Sequence, residues 1–418
     1  MENDGYVKSS DYEDLYFDTL NPHIINLNLL LAGFKPVRCG DYLELGFGMG
    51  RSLITNAVCG AGNFFGTDFN QNQVRFARKI CEEAAIPNLT LYHDSFEELL
   101  ARLRKMREDG LEVGFDFITL HGIYCWVSYE NQQTILSIIE EFLRPGGVVY
   151  VSYNCLPGKA KAMNARQIFK RFADNEGTED FREIFAFTEK FARLDPQSEK
   201  NKDILNLIAE WRHAHPTYLS HEFLNDSWHL PYFYDVALAM QKRGLEWACE
   251  DVLAYHFKRL SPEQEDFLKG LRGKNFKEQM RDFIVDKDFR YDLYVKNPTR
   301  LSKKEVQSTF LELSFSLADY PTTEHFEHCT DEVKFAYAQI IAKFERDDFA
   351  PKKAKNLFLK ELDFHTNASI LNNLTTLRLL ILHTKSQATA TIRRYNHLTL
   401  QGQTQGENIL AHGGGGGG

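Results

Sequence analysis

Apolar residues in the first part of the chain fall into short runs separated by longer stretches with helical spacing. Tyr42, Leu43 and Leu45 form one such run, followed by Phe64-Phe-Gly-Thr67, Leu89-Thr-Leu-Tyr92, Phe115-Asp-Phe-Ile-Thr-Leu120 and Val148-Val-Tyr-Val-Ser-Tyr153. Runs of this length with little alternation suit buried parallel strands, and the intervening stretches supply the crossovers that parallel pairing requires. The pattern predicts an α/β fold, a sheet with helices on both faces. Residues 159–215 change character: they are charged and helical, with Ile168, Phe169, Phe172, Ile184, Phe185 and Phe191 at core spacings, and read as an insertion or interface element. Tyr218 to Leu224, Tyr232 to Arg243 and Gly244 to Asp251 have a strand, helix, strand rhythm that would close the same sheet. Helical patterns follow from Glu263 to Phe276, Lys303 to Leu317 and Lys352 to Leu382, the last a candidate accessory domain, with a short extended piece at Arg290 to Val295. The divisions expected are 1–158, 159–215, 216–300 and 301–418.

The first strand runs into Tyr42-Leu-Glu-Leu-Gly-Phe-Gly-Met-Gly-Arg-Ser52, and Ser52 to Val58 can open a helix. A glycine loop between strand and helix turns tightly and lets a ligand approach the backbone. A dinucleotide fingerprint would place its third glycine at position 51, which is Arg51. Gly46, Gly48 and Gly50, preceded by Glu44, have instead the spacing of an S-adenosylmethionine (AdoMet) loop. The second strand ends at Asp68, placed to accept from ribose hydroxyls, with Phe69 beside it. The third ends at Asp94, an acceptor for the adenine amine, with Ser95 and Phe96 beside the ring.

On these motifs, residues 40–155 resemble the class I AdoMet-dependent methyltransferases. Four further signatures, Leu120 to Ser128, Ser152 to Gly158, Tyr218 to Leu224 and Gln279 to Arg290, resemble bacterial methyltransferases that carry a methyltransferase regulatory domain. That group includes lysine methyltransferases acting on outer-membrane proteins. The resemblance implies a Rossmann-like sheet joined to a mainly helical regulatory and C-terminal region, AdoMet as cofactor, and a protein, lysine, as methyl acceptor. A small-molecule methyltransferase and a non-catalytic AdoMet-binding subunit are the alternatives.

Methyl transfer needs alignment and water exclusion more than covalent machinery. Candidates at the acceptor rim are His121, Tyr124 and Trp126 after the fourth strand, and Tyr153 and Asn154 after the fifth; His121 also borders the cofactor. Each has a structural alternative: His121 as a loop hydrogen-bond partner, Tyr124 and Trp126 as core packing. Asp116, at the start of its strand, reads as structural, and His221 and Glu222 as opposite faces of a strand. Asp282, Arg281, Phe289 and Arg290 match the regulatory signature or form a surface salt-bridge set.

A formal charge of −9 over 418 residues argues against a nucleic-acid substrate. The start of the chain lacks a signal-peptide pattern and no run has membrane-spanning length, so a cytoplasmic protein is expected, with a homodimer as the assembly compatible with it. Seven cysteines without a Cys-x-x-Cys pair give no metal site. The glycine run Gly413 to Gly418 reads as a solvated tail, a cloning scar, or a guanine tract where frame slippage truncates a longer protein. An N-terminal loop and helix over residues 10–35 are expected to lie across the glycine loop as a lid.

Overall fold

A computed structural model describes residues 15–250, 260–320, 331–382 and 389–403; the expectations for the glycine run and for residues 1–14 lie outside the described residues. The first helix, α1 (Pro22–Leu31), is started by Asn21, whose side chain accepts from His23 N, and by Pro22 in the first turn. Strand and helix then alternate through β1 (Tyr42–Leu45), α2 (Arg51–Cys59), β2 (Phe64–Thr67), α3 (Gln71–Ala84), β3 (Leu89–Tyr92), α4 (Phe96–Glu108), β4 (Phe115–Leu120), α5 (Tyr129–Phe142) and β5 (Leu143–Asn154). Four helices follow, α6 (Ala160–Glu176), α7 (Phe181–Ala192), α8 (Glu199–Trp211) and α9 (Pro216–Phe223). The chain then returns to the sheet through α10 (Phe233–Gln241), β6 (Leu245–Glu250), α11 (Pro262–Gly270), α12 (Lys274–Val285) and β7 (Phe289–Lys296). The remainder comprises α13 (Lys303–Glu312), β8 (Ser314–Leu317), α14 (Asp331–Glu345), β9 (Lys352–Lys353), α15 (Ala354–Leu357), α16 (Phe364–Thr376), β10 (Leu380–Leu382) and α17 (Thr389–Gln403).

The main sheet has seven strands in the order β3-β2-β1-β4-β5-β7-β6. Strands β1 to β5 pair in parallel, and β7 lies antiparallel between β5 and β6. Strand order reverses between β1 and β4, and ligands of such sheets bind beyond the carboxyl ends of the strands at that point. Successive residues face opposite sides. Leu43, Leu45, Val149 and Val151 join a core with α4, α5 and α10, whereas Tyr42, Val148 and Tyr150 join one with α1, α2 and α3.

Two sequence expectations change. The segment from Tyr218, read as a strand, lies in helix α9, because Pro216 starts it and Leu219 and Phe223, one turn apart, enter the core of α6, α7 and α8. The C-terminal region is mainly helical, as expected, and within it β8, β9 and β10 form a three-stranded antiparallel sheet, with Leu317 opposite Leu380. Helix α1 is no lid, since Ile25 and Leu29 enter the main-sheet core while Ile24, Leu27 and Leu30 enter the C-terminal core. It is apolar on most of its circumference because both sides are covered.

Candidate functional site

Gly46, Gly48 and Gly50 all take positive φ, at 70°, 58° and 82°, where a side chain is strained. A Cβ on Gly46 would also lie 2.6 Å from Ile123 Cδ1. Gly50 is the N-cap of α2, so the loop delivers its backbone to a helix N-terminus, where amides lack intrahelical partners and the dipole is positive. Asp68, at the end of β2, closes the loop from the side: Oδ2 accepts from Gly48 N at 2.9 Å and Oδ1 from Asn70 N at 2.8 Å. Burial pushes its carboxyl up to about 6 even against those two hydrogen bonds. Glu44 is only 4% exposed on β1. Its Oε2 has no hydrogen-bond partner among the described residues, and burial followed by the nearby Asp68 charge pushes it up to about 8. A buried acid with an open oxygen beside a glycine loop is suited to donors brought by a ligand.

At the next strand end, Asp94 is gripped by Arg102, with Nε at 2.5 Å from Oδ2 and Nη2 at 2.9 Å from Oδ1. Such a bidentate pair leaves further lone pairs for an adenine amine. Ser95 caps α4 through a reciprocal pair with Glu98. Phe69, 39% exposed, stands on the surface after Asp68.

On the acceptor side, the structure separates residues that the sequence groups together. His121 lies on the α2 side, its ring 4.1 Å from Phe17 and stacked 6.0 Å from Tyr150. Its Nδ1 is 2.8 Å from Tyr150 Oη and 3.2 Å from Ser152 Oγ. Burial lowers its pKa to about 4, so the ring is neutral at pH 7. Tyr124, Trp126 and Tyr153 sit in the core on the other side. The Tyr153 hydroxyl donates to Asp292 at 2.6 Å, Trp126 stacks on Trp228 at 6.1 Å, and burial raises Tyr124 to about 12. Asn154 is buried, its backbone N donating to Cys125 Sγ. His121 shares the aromatic cluster with Phe17 and Tyr150, whereas Tyr153, next to Ser152 on β5, faces the other side because neighbours on a strand alternate faces. Asp116 holds Asp41 N at 2.9 Å and Arg144 at 3.2 Å at the opposite end of β4, as its position predicts.

Several residues of this region escape motif reading. The stretch before α1 closes on α2: Phe17 N donates to Ser52 Oγ at 2.9 Å, and the Tyr150 hydroxyl donates to Thr19 at 3.0 Å. Arg51, which serves the sequence argument only by not being glycine, donates from Nη1 to Tyr395 Oη of α17 at 3.3 Å, and Thr55 Oγ1 lies 3.0 Å from the same oxygen. In the segment read as a regulatory signature or a surface salt-bridge set, Asp282 and Arg290 are buried. Arg290, 0% exposed, meets Asp282 at 2.6 Å and Asp292 at 2.8 Å, and stacks over Phe233 at 4.2 Å.

Residues 40–204 match the model of a methyltransferase domain and residues 215–296 that of a "predicted methyltransferase regulatory domain". The chain therefore carries a methyltransferase domain followed by a methyltransferase regulatory domain. PKMT2 from Rickettsia typhi, solved in complex with AdoHcy, shares the fold with a TM-score of 0.67 and 20% identity, over 90% of this chain and 78% of that one. An uncharacterized protein of Synechocystis sp. is 30% identical over 75% of this chain and 63% of its own. One from Rickettsia prowazekii is 24% identical over 70% and 53%. The chain thus spans between about half and two thirds of these curated relatives. The residues present fit AdoMet as cofactor: three glycines at positive φ lead into a helix N-terminus and Glu44 keeps an open oxygen.

Proposed function

We propose that this chain transfers a methyl group from AdoMet to a protein, on a lysine amine. The open oxygen of buried Glu44 beside the glycine loop carries the reading, because among the described residues nothing donates to its Oε2. When bound, AdoMet supplies a methyl group on a sulfonium already activated as a leaving group. Gly46 to Gly50 and the start of α2 receive the cofactor, Asp68 accepts from the ribose and Asp94 from the adenine amine. His121, neutral at pH 7, accepts an N–H of the incoming amine without placing a positive charge against the sulfonium. The protein acceptor is supported by the likeness to PKMT2 and by the resemblance of the four signatures. Incubation of the full chain with tritiated AdoMet and bacterial extract should label a protein band, with mass spectrometry placing the methyl on lysine. A labelled small product in place of a band would make this a small-molecule enzyme, and the absence of AdoMet binding by calorimetry would overturn the assignment.

A further inference from the structure

Two aromatic rings at the start of β7 stand where an acceptor must arrive. β7 runs antiparallel to β5 with Phe289 opposite Asn154 and Tyr291 opposite Ser152, so its first residues share the rim made by the end of β5. From Asp292 through Val295 the strand is buried, whereas Phe289 and Tyr291 are half-buried. The Tyr291 ring lies 6.1 Å from His121 and 4.8 Å from Phe289, and Phe17 lies 4.1 Å from His121. Three segments far apart in sequence thus bring rings to the neutral imidazole. Had these rings served only as core, they would be enclosed like Leu293 and Tyr294 on the same strand, both 0% exposed.

We propose that Phe289 and Tyr291, with Phe17, wall the entrance for the methyl acceptor, so that the domain matched as regulatory contacts the substrate directly. This rests on the methyl transfer proposed above. Aromatic faces pack the methylene stem of a long unbranched amine and attract the ammonium formed when it is methylated. A lysine side chain reaching in from an extended segment has that chemistry. A compact or anionic acceptor gains nothing from such a wall.

The test uses the full chain loaded with AdoHcy and, as probe, Nα-acetyl-lysine N-methylamide titrated by ligand-observed NMR. Phe289→Ala and Tyr291→Ala should each weaken the probe by about fivefold or more, with Tyr291→Phe restoring most of the loss. AdoHcy affinity, measured in parallel, should stay within about twofold of wild type, which also shows that the variants fold. Unchanged probe affinity in both alanine variants overturns the proposal, as does a wild-type protein that binds AdoHcy but not the probe. A wild-type protein that fails to bind AdoHcy fails at the earlier step and takes this proposal with it.

Discussion

Two groups of buried carboxylates lie on one sheet and differ in what faces them. Around Arg290, acids from α12 and β7 converge on a guanidinium with no exposure, and Lys287 pairs with Glu250 at 2.5 Å beside them. At the other end, Glu44 and Asp68 are as deeply buried but form no salt bridge among the described residues, and burial raises both. The first group has its cations built into the fold, whereas the second has none among the described residues. Burial alone therefore does not separate the two groups; the absence of a cation beside a glycine loop does.

The largest test of that contrast is Arg290→Met. Leaving Asp282 and Asp292 without their cation should cost about 3–5 kcal/mol of stability, read from the urea midpoint. A loss below about 1 kcal/mol would mean the cluster is not held by Arg290 and would break the comparison. Next is Asp68→Asn, expected to weaken AdoHcy roughly tenfold or more by calorimetry. The cofactor-free protein should also lose about 1 kcal/mol, since the amide can accept only one of the two backbone hydrogen bonds that Asp68 takes from Gly48 and Asn70. Unchanged affinity would remove Asp68 from the site.

The pH dependence sharpens the same point. Folding raises the affinity of Asp68 and Glu44 for protons, so the cofactor-free chain loses stability as pH climbs from the ordinary carboxylate range through about 6 and about 8. Ligand hydroxyls favour the ionised Asp68, so AdoHcy affinity should fall as pH drops below about 6. Protons should be released on binding, visible as a buffer-dependent enthalpy, and Glu44→Gln should reduce that release near pH 8. A flat profile would count against both assignments. The smallest effect is expected for Tyr395→Phe, which removes one hydroxyl shared by Arg51 and Thr55 and should cost about 1 kcal/mol of stability.

Much of the sheet is legible because its strands are short apolar runs ending in acids or glycines. β1, β2, β3, β4, β5 and β6 all fall where the pattern puts them. β7 is harder, since Phe289 to Lys296 carries Arg290 and Asp292 in a strand buried on both faces. Those charges look like surface positions until Arg290 is seen against Asp282 and the hydroxyl of Tyr153 against Asp292. Tyr218 to Leu224 misleads in the opposite direction, because its aromatic residues favour a strand while Pro216 sets a helix. The glycines and strand-end acids of the proposed cofactor site stand out through spacing. Tyr153 does not, because which face it takes depends on a one-residue alternation that places Ser152 beside His121 and sends its neighbour under the sheet.

The contact between Arg51 and Tyr395 also has a history during synthesis. The two residues are 344 positions apart. At ordinary rates of translation, roughly 20 to 70 s separate the appearance of the first from that of the second. Through that interval the glycine loop exists with the first residue of its helix still lacking its partner. A nascent chain halted before α17 would carry every motif of the proposed cofactor site and an unfinished surface beside it.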